Sequence, residues 1–466
     1  MSIDNSLDLL ILGAGPGGYV AAIRAAQLRM KVAVVERERL GGVCLNWGCI
    51  PTKALLKSAE IFEHLKHADD YGISASDPKI DFASVIERSR KVANRMSAGV
   101  KYLFKKNNIQ WMEGTASLTA PGHVAVKTGS EPRDLSAKNI IIATGARARS
   151  VPGIDFDEDR IISARTAMNL PKQPEHLIII GAGAIGIEFA YFYHTIGTKV
   201  TLLEMMPQIL PIEDREVADT LAKRYRKLGM NILVNARVSK VTHTGQGVVV
   251  SVVVGNDNRV MEGDMALVAI GVRGNIEDLG LEKVGVKTER GWITVDKTMY
   301  QTSVPGIYAI GDVIGPPWLA HIASAEGLVC VERLAGLNPE PIDYNYIPGC
   351  TYCQPQVASY GYTQQKAEEA GFDVKVGQYP FLASGKAQAA GETEGFVKVI
   401  FDAKSGKLLG AHILGSDATE MIAEMGLAGT LGATHHDILR TIHAHPTLSE
   451  SIAEATAAAL GEAIHL

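Results

Sequence analysis

Two of the five cysteines, Cys44 and Cys49, stand five positions apart in Gly41-Gly42-Val43-Cys44-Leu45-Asn46-Trp47-Gly48-Cys49-Ile50-Pro51. Thiols that close in sequence can cycle between dithiol and disulfide, carrying two electrons per cycle. A structural disulfide is the alternative. A chain with so few cysteines is no disulfide scaffold, however, and disulfides in a reducing compartment are usually catalytic or redox-sensing. The spacing has a geometric consequence. Residues five apart on a regular α-helix have Cα atoms roughly 8–9 Å apart, whereas a disulfide needs less than about 7 Å. The segment is therefore expected to leave ideal helix, and Gly48 and Pro51 are residues that allow it.

A second group that could do chemistry is His445-Pro446-Thr447-Leu448-Ser449-Glu450. Imidazole is the natural base for a thiol near neutral pH, and a carboxylate on its other nitrogen fixes the tautomer and raises basicity. Taken alone, His445 could equally be a surface histidine. Glu450 also fits a capping box in which Thr447 caps a helix over 452–459, and both roles can hold together. Pro446 keeps its predecessor out of helical conformation; a cis X-Pro bond is rare and kept where it aims a side chain, and because the imidazole must turn away from its own helix a cis His445–Pro446 bond is expected. His435, His436 and His443 lie nearby; His435-His436 invites a metal reading, but no acidic or cysteine partner at ligand spacing accompanies that pair, so no metal is assigned. Cys350-Thr351-Tyr352-Cys353 lacks both the strand–helix context of a redox C-x-x-C and a second pair for zinc; these two cysteines and Cys330 are expected to be core residues.

The elements that must position these groups repeat along the chain. Leu9–Leu12 is a short apolar run entering Gly13-Ala-Gly15-Pro-Gly-Gly18, followed by an Ala-rich helix and a second apolar run ending at Glu36. Leu177–Ile180 enters Gly181-Ala-Gly183-Ala-Ile-Gly186 in the same way, and its second run ends at Glu204. A lone GxGxxG is weak evidence. A strand before it, a helix after it and an acid closing the next strand make each copy a dinucleotide-binding turn. Two copies imply two dinucleotides, with Glu36 and Glu204 on the adenosine riboses. Glu204 is followed by Met205 and Met206 and has no nearby arginine for a 2′-phosphate, so the second site reads as NAD. The first must serve a flavin, because the cysteine pair follows directly from it. Asp312, at the end of a short strand, could accept hydrogen bonds from ribityl hydroxyls or could be a turn residue. Thr144-Gly145 and Gly271 lie at strand ends that close the two domains.

At 466 residues, three or four domains are expected. A net charge of −5 argues against a nucleic-acid or anionic-membrane partner. Met1–Asp8 lacks the basic and apolar regions of a signal peptide, and no apolar run reaches the length of a membrane span. A cytoplasmic protein is expected.

With these residues in place, the chain resembles the flavin disulfide oxidoreductases, and among them the members that oxidise dihydrolipoamide. The resemblance runs from about Asp8 to the end. It is carried by Gly13–Gly18, by Gly41-Gly42-x-Cys44-Leu-Asn-x-Gly48-Cys49-Ile-Pro-x-Lys53, by Gly181–Glu188, by Gly311-Asp312, by Leu319-Ala320-His321 and by His445–Glu450. It implies an α/β fold with two Rossmann-like dinucleotide-binding domains, a central domain and a C-terminal α+β dimerisation domain. With the strand-end reading, these fall at 1–148 (FAD), 149–274 (NAD), 275–345 and 346–466. It implies non-covalent FAD against Gly13, Gly15, Gly18, Glu36, Lys53, Gly114, Thr144, Gly145, Asp312, Leu319, Ala320 and His321. NAD would lie against Gly181, Gly183, Gly186, Glu188, Glu204 and Gly271. It implies a pairing of Lys53 with Glu188 beside the flavin, which no spacing could suggest. It further implies a homodimer in which the His445–Glu450 pair of each subunit serves the disulfide of the other.

The chemistry implied by the resemblance is oxidation of dihydrolipoamide on lipoyl domains of 2-oxo acid dehydrogenase complexes or on the glycine-cleavage carrier protein, with reduction of NAD⁺ to NADH. Cys44 would exchange with substrate after deprotonation by His445, and Cys49 would face the flavin. Glutathione and trypanothione reductases prefer NADP, which Glu204 opposes. Mercuric and high-molecular-weight thioredoxin reductases want a C-terminal cysteine tail, which the ending Gly461-Glu-Ala-Ile-His-Leu466 lacks. Soluble transhydrogenase lacks the complete cysteine pair. A redox-inactive flavoprotein subunit is the reading from another class, opposed by the intact Cys44/Cys49 and His445/Glu450 sets. Trp47, between the cysteines, departs from commoner sequences.

Overall fold

The computed structural model describes residues 7–129 and 131–466, so the reading of Met1–Asp8 as no signal peptide lies almost wholly outside the described residues. The run Leu9-Leu10-Ile11-Leu12 has no polar alternation, as suits a strand covered on both faces. Strand Leu7–Leu12 lies at the centre of a seven-stranded sheet, parallel to Val32–Glu36 on one side and to Glu131–Ile142 on the other. Gln110–Glu113 extends the sheet beyond Val32–Glu36, and Ile307–Ala309, from far along the chain, adds a parallel strand beside Glu131–Ile142. Leu9, Leu10, Ile11, Ile140 and Ile141 are fully buried; each such side chain contributes about 1.5–3 kcal/mol.

The second sheet repeats this arrangement. His176–Ile180 runs parallel between Lys199–Leu203 and Met265–Val268 in a sheet of five strands. A three-stranded antiparallel sheet, Ala236–His243, Val248–Val254 and Asp257–Gly263, packs its valines against Ile178, Ile180 and Leu203. Ala146–Ala148 pairs antiparallel with Val272–Gly274 where the chain passes between the two units.

Residues 275–345 form no large sheet of their own; Thr288–Glu289 pairs with Trp292–Ile293 in a small hairpin. Their strand Ile307–Ala309 joins the first sheet, and helix Ala320–Leu334 lies against helix Pro16–Gln27. The two helices approach through Gly17 and Gly327: a Cβ on Gly327 would come within 2.8 Å of the Gly17 carbonyl oxygen. The C-terminal region is a five-stranded antiparallel sheet in the order Pro348–Thr351, Gln356–Gly361, Leu408–Gly415, Phe396–Asp402, Val374–Pro380. Its apolar face, including Tyr360, Val397, Val399 and Ile413, is covered by Met421, Met425, Ile452 and Ala455 of helices Ala418–Thr430 and Glu450–Ala458. Among the described residues no helix is long and apolar enough to cross a membrane.

Candidate active site

The two glycine turns are built alike, and each glycine has a distinct reason. Gly13 and Gly181 have φ of +105° and +99°, and a Cβ on either would strike a carbonyl of the next strand's end, Ala143 O at 2.3 Å and Ala269 O at 2.4 Å. A Cβ on Gly18 or Gly186 would fall 2.0 or 1.9 Å from the carbonyl oxygen of Gly13 or Gly181, so helix and strand could not pack so closely. Gly15 and Gly183 differ: among the described residues Gly183 has nothing within 4 Å of its Cβ position, and Gly15 has only the Gly42 Cα at 4.0 Å. Both are helix N-caps without a side-chain cap, which leaves first-turn N–H groups free for an anion. The open cradle in front of each helix fits a pyrophosphate. Burial raises the Glu36 carboxyl above its ordinary value, although the N–H groups of Glu38 and Ala14 oppose the shift.

The redox segment packs directly on the first turn. Gly41 and Gly42 have positive φ, and a Cβ on Gly42 would lie 2.7 Å from the Gly15 Cα. Helix Gly42–Trp47 ends at Gly48, whose φ of −145° and ψ of −119° leave helical geometry, and helix Cys49–Lys66 begins again beyond it. The expected break therefore falls on Gly48 alone. Pro51 sits in the first turn of the second helix, where its missing N–H costs nothing. A Cβ on Gly48 would press within 3.1 Å of Val43 O and 3.3 Å of Cys44 Cα. Buried Asn46 fastens the first helix by donating from Nδ2 to Leu40 O and Gly42 O, both at 3.0 Å. Arg90 donates to Asn46 O at 2.7 Å from the long helix Phe82–Lys106. The Trp47 ring packs against the core of the second unit beneath the Arg165 guanidinium, 4.0 Å from its centroid. Trp47 thus fastens the redox helix to the neighbouring unit.

Cys44 and Cys49 are both unbonded thiols, close enough for one to donate to the other. The Cys44 thiol holds Cys49 below the ordinary thiol value, burial opposes this, and the Lys53 ammonium supports it. The same hydrogen bond, with burial, raises Cys44 far above that value. Of the two sulfurs, Cys49 is therefore the more readily ionised. Lys53 lies one turn after Cys49 on the same helical face. Its Nζ meets both carboxylate oxygens of Glu188, at 2.8 and 2.9 Å. The pairing implied by the family resemblance is thus present, between the first and second units. Glu188 also accepts from the backbone N–H of Tyr352 at 3.0 Å, and the Tyr352 ring centroid lies 4.3 Å from Lys53 Nζ.

The other expected flavin contacts gather at the ends of the parallel strands. Thr144 and Asn275 grip each other: Thr144 Oγ1 donates to Asn275 O at 2.8 Å, and Asn275 Nδ2 donates to Thr144 O at 2.9 Å. Gly145 and Gly271 have positive φ with open space before them among the described residues. Asp312 is half-buried in a short 3₁₀ turn, Gly311–Ile314, and burial pushes its carboxyl up to about 6. A desolvated carboxyl with no donor among the described residues fits a ligand's hydroxyls. Glu326 anchors this turn, accepting from Gly311 N at 2.6 Å and from the Tyr344 hydroxyl at 2.7 Å. Leu319 caps the helix that Ala320 and His321 open, and His321 Nε2 lies 2.9 Å from Pro348 O. Gly114 donates to Glu36 O at 2.9 Å, but its missing side chain is accounted for by packing, since a Cβ would lie 2.8 Å from Lys127 O.

His445 and Glu450 form the expected pair, Nδ1 to Oε1 at 2.9 Å, and the His445–Pro446 bond is cis. The capping box needs correction. Thr447 is not the N-cap of helix Glu450–Ala458; Ser449 is. The helix begins two residues later than the motif suggests, so the Thr447 oxygen receives no first-turn N–H; its hydroxyl donates to Ala444 O, while Glu450 Oε2 still accepts the Thr447 N–H at 2.7 Å. Partial burial raises the Glu450 carboxyl, but the Thr447 N–H and His445 outweigh it and leave a net lowering. The His445 side chain is 80% exposed, and among the described residues no hydrogen bond or ion pair joins it to either cysteine of its own chain. His443 pairs separately with Glu424 at 2.8 Å, and His435 packs edge-on to Phe401. Cys330 and Cys353 are fully buried, as expected of core residues, whereas Cys350 is only half-buried. Tyr352, Asn275 and Glu326 carried no local sequence signal, because each acts across distant elements.

Residues 7–327 match the family described as pyridine nucleotide-disulphide oxidoreductase, and residues 347–456 match its dimerisation domain. The chain is 49% identical over 462 residues to a dihydrolipoyl dehydrogenase of Zymomonas mobilis, covering 98% of this chain and 99% of that one. It is 43% identical over 469 residues to a dihydrolipoyl dehydrogenase of Bacillus subtilis, covering 98% and 99%. Among solved structures, LpdA from Mycobacterium tuberculosis superposes with a TM-score of 0.90 at 29% identity, covering 97% of this chain and 99% of that one.

Proposed function

Because the chain belongs to the pyridine nucleotide-disulphide oxidoreductase family, we propose that it oxidises dihydrolipoamide to lipoamide with NAD⁺ as acceptor. The observation that carries this reading is the thiol pair split at Gly48, with Cys49 the more acidic of the two and Lys53–Glu188 one turn away. His445, with Glu450 fixing its Nδ1, leaves Nε2 to take the proton of a substrate thiol. The substrate thiolate attacks Cys44 Sγ and opens the disulfide, so that Cys49 leaves as the thiolate its surroundings favour. The second substrate thiol then attacks the substrate sulfur bound to Cys44, its proton passing to the departing Cys44 sulfur, and the cyclic disulfide is released while His445 keeps the first proton. The substrate has lost two electrons and two protons, and the cysteines have gained the electrons. The chemistry a bound flavin supplies is uptake of that electron pair and its delivery as hydride to a nicotinamide.

FAD fits the first cradle, with Glu36 at the ribose and Asp312 at the ribityl chain; NAD fits the second, with Glu204 at its ribose. The four-part division at 148, 274 and 345 belongs to this proposal, as do a homodimer, a cytoplasmic location and a lipoyl-bearing carrier as donor. The exposed His445 on the dimerisation domain supports a base serving the partner's disulfide. The test is an anaerobic assay of the purified yellow protein with dihydrolipoamide and NAD⁺. Steady NADH formation at about one turnover per second or faster, the range of ordinary enzymes, is expected; flavin binding without turnover would favour a redox-inactive subunit.

A further inference from the structure

The Lys53 ammonium is bounded by three pieces of chain that fold as parts of different units: its own helix Cys49–Lys66, Glu188 of helix Ala184–Thr195, and Tyr352 just beyond strand Pro348–Thr351. Tyr352 touches both members of the ion pair. Its ring faces Lys53 Nζ at 4.3 Å, and its N–H donates to Glu188 Oε1 at 3.0 Å. Glu188 is 5% exposed, whereas about a third of the Lys53 side chain reaches solvent. The carboxylate is thus fixed, and the ammonium, on its four-carbon stem, has room to swing. The aromatic face closes one side of that room and attracts the cation by its quadrupole.

We propose that Tyr352 is a positioning residue for the redox pair, its ring holding the Lys53 ammonium against Cys49 while its backbone N–H holds Glu188. The direction of its effect follows from the charges around the sulfur. The Lys53 cation favours the Cys49 thiolate and the Glu188 anion opposes it. An ammonium released from the ring would slide outward along Glu188, and the thiolate would keep the anion but lose the cation. Docking of the C-terminal sheet therefore contributes to setting the thiolate, through one side chain. A tyrosine that only filled space would have no such effect.

This inference rests on the reading of Cys49 as the flavin-facing thiolate, and its test separates the two. In a Cys44→Ser background, the long-wavelength absorbance of the Cys49 thiolate against the flavin is titrated with pH, with Tyr352 intact, with Tyr352→Phe and with Tyr352→Leu. The leucine change is expected to raise the midpoint by about half a pH unit or more, the scale of a displaced neighbouring charge. The phenylalanine change, which keeps ring and backbone, is expected to leave it in place. An unmoved midpoint with leucine, or an equal rise with phenylalanine, would overturn the role of the ring. If no such absorbance forms at any pH with Tyr352 intact, the flavin reading fails instead, and the pH profile of Cys49 alkylation by iodoacetamide still decides the matter for Tyr352. Should Tyr352→Leu not fold, Tyr352→Met supplies the same loss of aromaticity in a chain of similar volume.

Discussion

Glu36 and Glu204 make the same two hydrogen bonds. Each accepts the backbone N–H of the residue after the first glycine of its turn, Ala14 or Ala182, at 2.7 Å, and the N–H two residues beyond itself, Glu38 or Met206, at 2.8 Å. The carboxylates are thereby locked to their glycine turns, and the internal repeat extends to individual atoms.

That lock makes cofactor choice at the second site predictable. Glu204, 7% exposed and held by two N–H groups, cannot swing away from a 2′-phosphate. The kcat/KM with NAD⁺ is expected to exceed that with NADP⁺ by about 10²-fold or more, since like charges at close range cost several kcal/mol. Glu204→Ala combined with Met205→Arg should move the ratio towards NADP⁺ by adding a cation that matches phosphate. Equal kcat/KM for the two cofactors in the parent protein would refute this reading.

Cys49→Ser should abolish both lipoamide turnover and the thiolate–flavin absorbance while leaving FAD bound. The cradle at Gly13–Gly18 and Glu36 touches the redox segment through glycine backbone at Gly15 and Gly42, so a sulfur-to-oxygen change one helix away does not reach it. Flavin content of the gel-filtered variant checks this. A folded variant without flavin would show that the two sites are not separable.

His445→Gln should lower dihydrolipoamide oxidation by about 10²-fold or more, the usual loss for a general base. Reduction of the flavin by NADH needs no thiol deprotonation and should persist. Stopped-flow measurement of each half-reaction distinguishes them. An equal loss in both would make His445 a structural residue.

Stability should depend on pH through Glu213, which takes no part in the proposed chemistry. Its carboxyl is pushed up to about 7 by burial. Ser359 Oγ donates to its Oε1 at 3.2 Å, and its Oε2 has no partner among the described residues. A glutamate raised in the folded state is protonated there while the unfolded chain ionises, so stability falls as pH rises from about 4.5 to about 7 and levels off above. Glu213→Gln should remove that slope and gain at most about 3 kcal/mol at pH 8 relative to the parent, the free energy that corresponds to a carboxyl moved from about 4.5 to about 7. Urea midpoints of parent and variant that stay parallel across this range would contradict the assignment.

What the sequence made legible was whatever depends on a local pattern. The glycines declared their turns because only glycine fits where Ala143 O and Ala269 O crowd the backbone, and Gly48 declared the helix break by its type and its place between the cysteines. His445 and Glu450 could be paired because five residues of chain suffice to close that contact. The roles of Tyr352, Asn275 and Glu326 were not legible, since each comes into being only when separate parts of the chain meet. Trp47 was visible as a departure, but its partner Arg165 lies more than a hundred residues on, and no periodicity connects them. The Thr447 cap failed for a subtler reason: the motif T-x-x-E was present and Glu450 does accept the Thr447 N–H, yet the helix starts only at Glu450, too far along for the threonine oxygen to receive a first-turn N–H.

The short ribbon of Ala146–Ala148 against Val272–Gly274 places Ala148 directly opposite Val272. The chain thus leaves the first sheet and comes back to it through a single doorway, having folded an entire parallel sheet outside. Everything between the doorposts is a guest within its host. Cutting at Ala148 and rejoining at Val272 would span no gap wider than two neighbouring strands, about 5 Å. The excised piece would likewise have its own ends side by side. A gene that acquired its second dinucleotide site by swallowing a copy of the first would leave such a seam.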